Sequence, residues 1–236
     1  MIRGKFYGIG VGPGDPELLT FKAVRTIRSC DVIAVPEPDD SERTALHIVG
    51  EYLHGKELLK CRFSMSRDEK KRIAQRRHVG EQICSVLETG KSVGFVTLGD
   101  PSIYSTYTYI RDIVRDHGFE VETVPGIASF SAAAAVLNVS LCEGKESLHL
   151  LPAGCEEDIE RWIGLSGTKV VMKSGKNLDR VLKTLQEYGL SKQTRIVSRC
   201  TMEGERIFHS IDEFDKVEQH SMPGYFSVLI VKEKRQ

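Results

Sequence analysis

No two cysteines in this chain stand at the spacing of a metal finger or a redox motif. The six (Cys30, Cys61, Cys84, Cys142, Cys155 and Cys200) are scattered, which argues against a zinc site and fits a reducing compartment. The seven histidines form no HxxxH or HExxH pattern, so no protein-bound metal is expected. An excess of one charge is missing too: 33 basic residues balance 33 acidic ones. Without a global positive field, neither a nucleic-acid nor an anionic-membrane partner is expected. No apolar run reaches the length of a signal peptide or a membrane span. The most apolar stretch, Ala128 to Leu141, is interrupted by Ser129, Ser131, Asn138 and Ser140. The expectation is a cytoplasmic protein with no membrane partner.

Two phosphate-binding signatures are also incomplete. Gly8-x-Gly10-x-Gly12 begins like a dinucleotide loop, but the third small residue of that fingerprint is replaced by Pro13. No Gly-Lys-Ser/Thr is present, which excludes a Walker loop. The loop ends instead in Asp15-Pro16-Glu17, where Asp15 can cap a helix that Pro16 opens. A carboxylate there competes with a phosphate for the same backbone amides. The device recurs at Gly99-Asp100-Pro101, read as another helix start, and a third turn follows at Pro125-Gly126. Ordinary helix capping accounts for either Gly-Asp-Pro alone. The two together, at the ends of strands, favour a site for a ligand with hydroxyls or positive charge.

The first half alternates strands and helices. Lys5–Gly12, Asp31–Pro36, Ser92–Leu98 and Val121–Val124 read as strands, and Ser92–Leu98 is apolar enough to be buried on both faces of a parallel sheet. The helices expected are one starting at Asp15 with Leu19, Ala23 and Ile27 inward, then Ser41 to Leu53, then Asp68 to Leu87 with Ile73, Ile83 and Leu87 inward. One more follows Gly99-Asp100-Pro101, and Ser129 to Leu137 forms the last. After Leu141 the texture changes to a polar stretch, Cys142–Ser147. This places a first α/β domain at 1–141 and a second at 142–236. In the second, strands at Leu148–Leu151, Lys169–Met172, Thr194–Val197, Arg206–Phe208 and Tyr225–Val231 surround a helix at Asn177 to Tyr188, and a mixed sheet is expected.

The motifs "GIGVGPGDPELLTFKAV", "GFVTLGDPSIYSTY" and "VPGIASFSAAAA" resemble, in order and spacing, those of the tetrapyrrole methyltransferase family. "TKVVMKSGKNLDRVL" and "YFSVLIV" continue the likeness into the second half. The resemblance implies two α/β domains, the tetrapyrrole methylase fold, with S-adenosylmethionine as methyl donor in the cleft between them, and a homodimer. It implies that the cofactor meets Pro13, Leu98, Gly99, Asp100, Ile103, Ser129, Phe130, Met172 and Thr201. "FSMSRD" and "TLGDPSIYSTYTYI" look most like the branch that methylates precorrin-2 or cobalt-precorrin-2 at C-20 in cobalamin biosynthesis. Any cobalt would arrive with the small-molecule tetrapyrrole substrate.

Residues 62–77 hold seven basic side chains, including Arg62, Arg67, Lys70 and Lys71. A solvated helix face explains such a run; a rim for substrate carboxylates also does, since guanidinium forks fit them. Tyr104, Tyr107 and Tyr109 follow the second Gly-Asp-Pro, and core packing is the ordinary use of each. Tyr107 fits a helix interior, while Tyr104, one turn into that helix, can face the cleft. Methyl transfer from a sulfonium to an electron-rich carbon needs alignment more than a base, so no catalytic residue is assigned. Tyr104 and Arg67 are candidates for orienting substrate. Another methyltransferase of the family, acting on uroporphyrinogen III, another precorrin, a protein histidine or ribosomal RNA, or a non-catalytic domain that senses S-adenosylmethionine, stays open at this level.

Overall fold

A computed structural model of the chain describes residues 4–36, 40–63, 68–153, 159–217 and 224–232. It separates into two units, Met1–Ala128 and Ser129–Gln236.

In the first unit β1 (Lys5–Gly10), β2 (Val32–Pro36), β3 (Glu57–Cys61), β4 (Val93–Thr97) and β5 (Glu120–Val124) form one sheet in the order β3-β2-β4-β1-β5. Every pairing is parallel, as the alternation of elements led one to expect. Neighbouring residues face opposite ways. Phe6, Ala34 and Phe95 pack with Ile83 and Leu87 of α3 (Glu69–Glu88) and Tyr107 and Ile110 of α4 (Tyr107–Asp116). Ile9, Ile33 and Val96 pack on the other face with Ala23 and Ile27 of α1 (Phe21–Ser29) and Ile48 of α2 (Asp40–Val49). Each central strand is therefore apolar on both sides.

The helix starts differ from the sequence expectation. Asp15 caps only a short 3-10 turn, Pro16–Leu18, accepting from Glu17 N at 2.8 Å. The α-helix begins afterwards, and Thr20 caps it by accepting from Ala23 N at 3.1 Å. Gly99-Asp100-Pro101 does not open a helix at all: α4 begins at Tyr107. Ile73 on α3 faces outward, 54% exposed, rather than toward the core. The edge strand β3, absent from the sequence reading, is mostly exposed and so shows no apolar run.

The second unit carries β6 (Leu148–Pro152), β7 (Thr168–Met172), β8 (Thr194–Ser198), β9 (Arg206–Phe208) and β10 (Ser227–Val231) in the order β6-β7-β10-β8-β9. β6 and β7 are parallel and the other pairings antiparallel, a mixed sheet as expected. The main core lies under α7 (Leu178–Glu187) and α8 (Ile211–Val217), with α6 (Ile159–Ile163) alongside. The helix α5 (Ser129–Val136) packs on β10. That contact puts the division between the units at Ala128/Ser129, ahead of the polar stretch at 142–147.

Candidate functional site

The connections of the first sheet leave its carboxyl edge in opposite directions. α1, after β1, lies on one face and α4, after β4, on the other. β1 and β4 are neighbours, so a crevice opens between their ends, the usual place for a ligand in an open α/β sheet. The glycines meet there. A Cβ on Gly10 would lie 2.5 Å from Gly126 N and 2.7 Å from Gly99 O, and one on Gly126 only 2.3 Å from Gly99 O. The turns after β1, β4 and β5 thus touch through bare backbone. Gly12 and Gly99 pair across the crevice: Gly99 N donates to Gly12 O at 2.7 Å, and Gly12 N donates back at 3.3 Å.

Asp100 braces this arrangement. Its Oδ1 accepts from Ser102 N at 2.8 Å and from the Ser102 hydroxyl, and its Oδ2 accepts from Gly126 N at 3.0 Å. The carboxylate joins the β4 turn to the β5 turn instead of capping a helix. Ser105 shares a hydrogen bond with Thr97 at 2.9 Å and accepts from Tyr107 N at 3.2 Å. These bonds hold residues 98–106 against the sheet edge and delay α4. Tyr104 consequently sits in a turn, at φ +48° and 42% exposed, not one turn into a helix. Partial burial raises its phenol pKa, which keeps it a neutral hydroxyl at physiological pH. Gly99 is buried, Leu98, Asp100 and Ile103 are half-buried, and Pro13 is buried.

Tyr107 is core, as its sequence position suggested. It lies over Gly8, where a Cβ would be 2.1 Å from the ring, and its hydroxyl shares a hydrogen bond with Thr123 at 2.9 Å. Much of the basic run is engaged locally. Arg72 contacts Glu69, Arg77 reaches Glu81 at 2.9 Å, and Arg76 lies 3.6 Å from the centre of the Tyr109 ring. Arg67 falls outside the described residues.

In the second unit Ser129 and Phe130 open α5, and Met172 is the buried last residue of β7. Thr201 lies in the turn after β8, its N–H donating to Glu205 Oε2 at 2.6 Å. Among the described residues, five non-glycine positions have positive φ, and four of them, Tyr104, Lys173, Arg199 and Thr201, follow β4, β7 or β8. Such conformations cost about 1–3 kcal/mol each and collect at functional sites. Lys173 and Arg199 were not singled out from sequence, because nothing in an isolated lysine or arginine signals a left-handed backbone.

Among the described residues no three His, Cys, Asp or Glu side chains are grouped to hold a metal ion, and no helix is long and apolar enough to cross a membrane. Burial pushes the thiols of Cys30 and Cys200 up to about 12 and that of Cys84 to about 11, which leaves all three unreactive.

Residues 5–215 match the family model described as Tetrapyrrole (Corrin/Porphyrin) Methylases. Over 232 residues the chain is 35% identical to the probable cobalt-precorrin-2 C(20)-methyltransferase of Methanocaldococcus jannaschii, covering 97% of this chain and 96% of the relative. It is 30% identical to the cobalt-precorrin-2 C(20)-methyltransferase of Salmonella typhimurium, over 99% and 98% of the two chains. Among solved structures, the uroporphyrin-III C-methyltransferase of Thermus thermophilus, complexed with S-adenosylhomocysteine, superposes with a TM-score of 0.72 at 21% identity, covering 98% of each chain. That likeness establishes the shared fold.

Proposed function

The chain belongs to the tetrapyrrole (corrin/porphyrin) methylase family, and from that premise we propose that it transfers a methyl group from S-adenosylmethionine to C-20 of precorrin-2, in its cobalt-bearing form, during cobalamin biosynthesis. The observation that carries this reading is the near-full-length identity to two relatives named for that reaction. The site chemistry agrees with it. A cradle of touching glycine backbones suits a ligand lying close along the main chain, and the nearby carboxylate of Asp100 suits hydroxyls or a cation rather than a phosphate.

Bound there, S-adenosylmethionine would supply a methyl group to the electron-rich C-20 as its carbon–sulfur bond breaks, with S-adenosylhomocysteine as the leaving group and the C-20 proton released to solvent. The residues of the chain then act by alignment and exclusion of water. In this reading Pro13, Leu98, Gly99, Asp100 and Ile103 of the first unit hold the donor, together with Ser129, Phe130, Met172 and Thr201 of the second. Tyr104 offers a neutral hydroxyl to the substrate, and Arg67 with Arg62 meets its carboxylates. The active form is a cytoplasmic homodimer with no resident metal.

Mass spectrometry of the product from labelled S-adenosylmethionine, with cobalt-precorrin-2 and with the metal-free substrate, tests the reading. One methyl group at C-20, formed faster on the cobalt substrate, is expected. Methylation at a pyrrole carbon overturns the position. Binding of S-adenosylhomocysteine without turnover on either substrate would leave a sensor instead, and calorimetric binding of NAD in its place would remove the methyl donor altogether.

A further inference from the structure

The second sheet has another end, where β7 and β8 begin and β10 finishes. Met172, Ser198 and Ser227 lie at one edge of these strands; Thr168, Thr194 and Val231 lie at the other. At that second edge is a cavity of about 420 Å³, lined almost wholly by polar residues. This equals the volume of roughly 14 water molecules at ~30 Å³ each and suits a molecule of sugar-phosphate size.

Five charged side chains line it: the carboxylates Glu143 and Glu146 and the cations Lys192, Arg195 and Lys232. Lys232 is committed: its ammonium donates to Ser140 O at 2.8 Å and lies 3.6 Å from Glu146. Glu146 is taken up by Lys232 and by the Glu143 amide, and the exposed Lys192 and half-buried Arg195 form no ion pair with either glutamate or with another carboxylate among the described residues. Between them stands Gln193, whose Oε1 is buried and accepts no hydrogen bond, the one side-chain oxygen in that condition among the described residues. A buried acceptor without a donor is costly and rare. The last torsion of a glutamine is broad, so a small rotation presents this amide to a guest in the cavity.

Two unpaired cations beside an unmet acceptor describe their ligand. It carries an anionic oxygen group for the guanidinium fork and the ammonium, and a hydroxyl or amino donor for Gln193. We propose that this cavity is a second ligand site, separate from the methyl-donor residues, for a small hydroxylated acid, either a phosphate monoester or a carboxylate. The site stands whether or not the methyl-transfer reading does.

Calorimetry on the full chain with glycerol 3-phosphate and with glycerate tests this, with propionate as a carboxylate lacking the donor. At least one hydroxylated probe binds, and which one binds tells phosphate from carboxylate. Arg195→Gln weakens that binding by roughly tenfold or more, as loss of a charged hydrogen bond does. Gln193→Leu leaves the melting temperature of the free protein unchanged or higher, because an unmet polar group has gone, and it removes the advantage of glycerate over propionate. No binding of either probe, or binding unchanged in Arg195→Gln, overturns the proposal. So does a Gln193→Leu protein that melts lower and keeps its preference, since Gln193 would then be structural.

Discussion

At the ends of β1 and β4 the left-handed turns begin at Gly12 and Gly99, with Tyr104 further along, while at the ends of β7 and β8 they begin at Lys173, Arg199 and Thr201, with Gly175 and Gly204 further along. In the first unit Gly10 and Gly126 are required because backbones approach until no Cβ fits, whereas Gly12 and Gly99 have room for one and are required by their positive φ. The second has space at its turns and keeps side chains in them, at the cost of strained backbone. One edge is thus specialised in shape and the other in chemistry.

The largest expected effect breaks the glycine edge. In Gly126→Ala the new methyl meets two stretches of backbone, neither able to swing away. A loss of about 3 kcal/mol, the upper range for overpacking, is expected in chemical denaturation, with loss of S-adenosylhomocysteine binding. Normal stability would mean that the three turns are looser than their geometry indicates.

Asp100→Ala comes next. It frees the amides of Ser102 and Gly126. Stability should fall by about 1–2 kcal/mol for two lost acceptors on a partly exposed group. Affinity for S-adenosylhomocysteine, measured on the folded protein, should fall by at least about tenfold, because the β5 turn loses its brace and the ligand a charged partner. Unchanged affinity would make Asp100 a scaffold residue only.

The strained edge should respond with the opposite sign. Thr201→Gly removes a β-branched side chain from φ +60°. Relief of strain of about 1–2 kcal/mol outweighs the added flexibility of the unfolded chain, about 0.5–1 kcal/mol. A small rise in melting temperature with slower methyl transfer is expected; a fall in melting temperature would show that the Thr201 side chain contributes more than its conformation costs.

The smallest effect lies away from both edges. Lys22 and Lys5 flank Glu122 at 2.7 and 2.8 Å and hold its carboxyl at about 2 rather than 4.5. A lowered carboxyl pKa favours the folded state above pH 4.5, and that contribution disappears as pH falls toward 2. The group is about a third exposed, so the contribution should stay below about 1 kcal/mol. Glu122→Gln should lower the melting temperature at pH 7 and match the parent near pH 2. A constant difference across that range would assign the effect to packing.

Local signals carried the first unit well. The unbroken run in β4 and the glycines of the β1 loop each announce themselves within a few residues, and parallel order follows from the alternation. What stayed hidden depends on distant partners. Asp100 reads as a helix cap because capping is local; its bond to Gly126 spans 26 residues. Thr20 escaped notice as the true cap of α1 because Asp15-Pro16 is the stronger start signal. β3 is too exposed to show apolar periodicity, and α6 and α8 are too short. The strain at Lys173 and Arg199 has no compositional mark.

The notch at Gly8 has a mechanical consequence. The Tyr107 ring fills the space a side chain at residue 8 would take and is tethered beyond it to Thr123. Sliding α4 by one turn, about 5.4 Å, would lift the ring out of its seat and onto neighbouring side chains. The helix is therefore pinned to the sheet at a single register. Between β4 and α4, any accommodation to a guest is therefore left to the nine residues ahead of that pin, 98–106, and the sheet behind them acts as a fixed anvil.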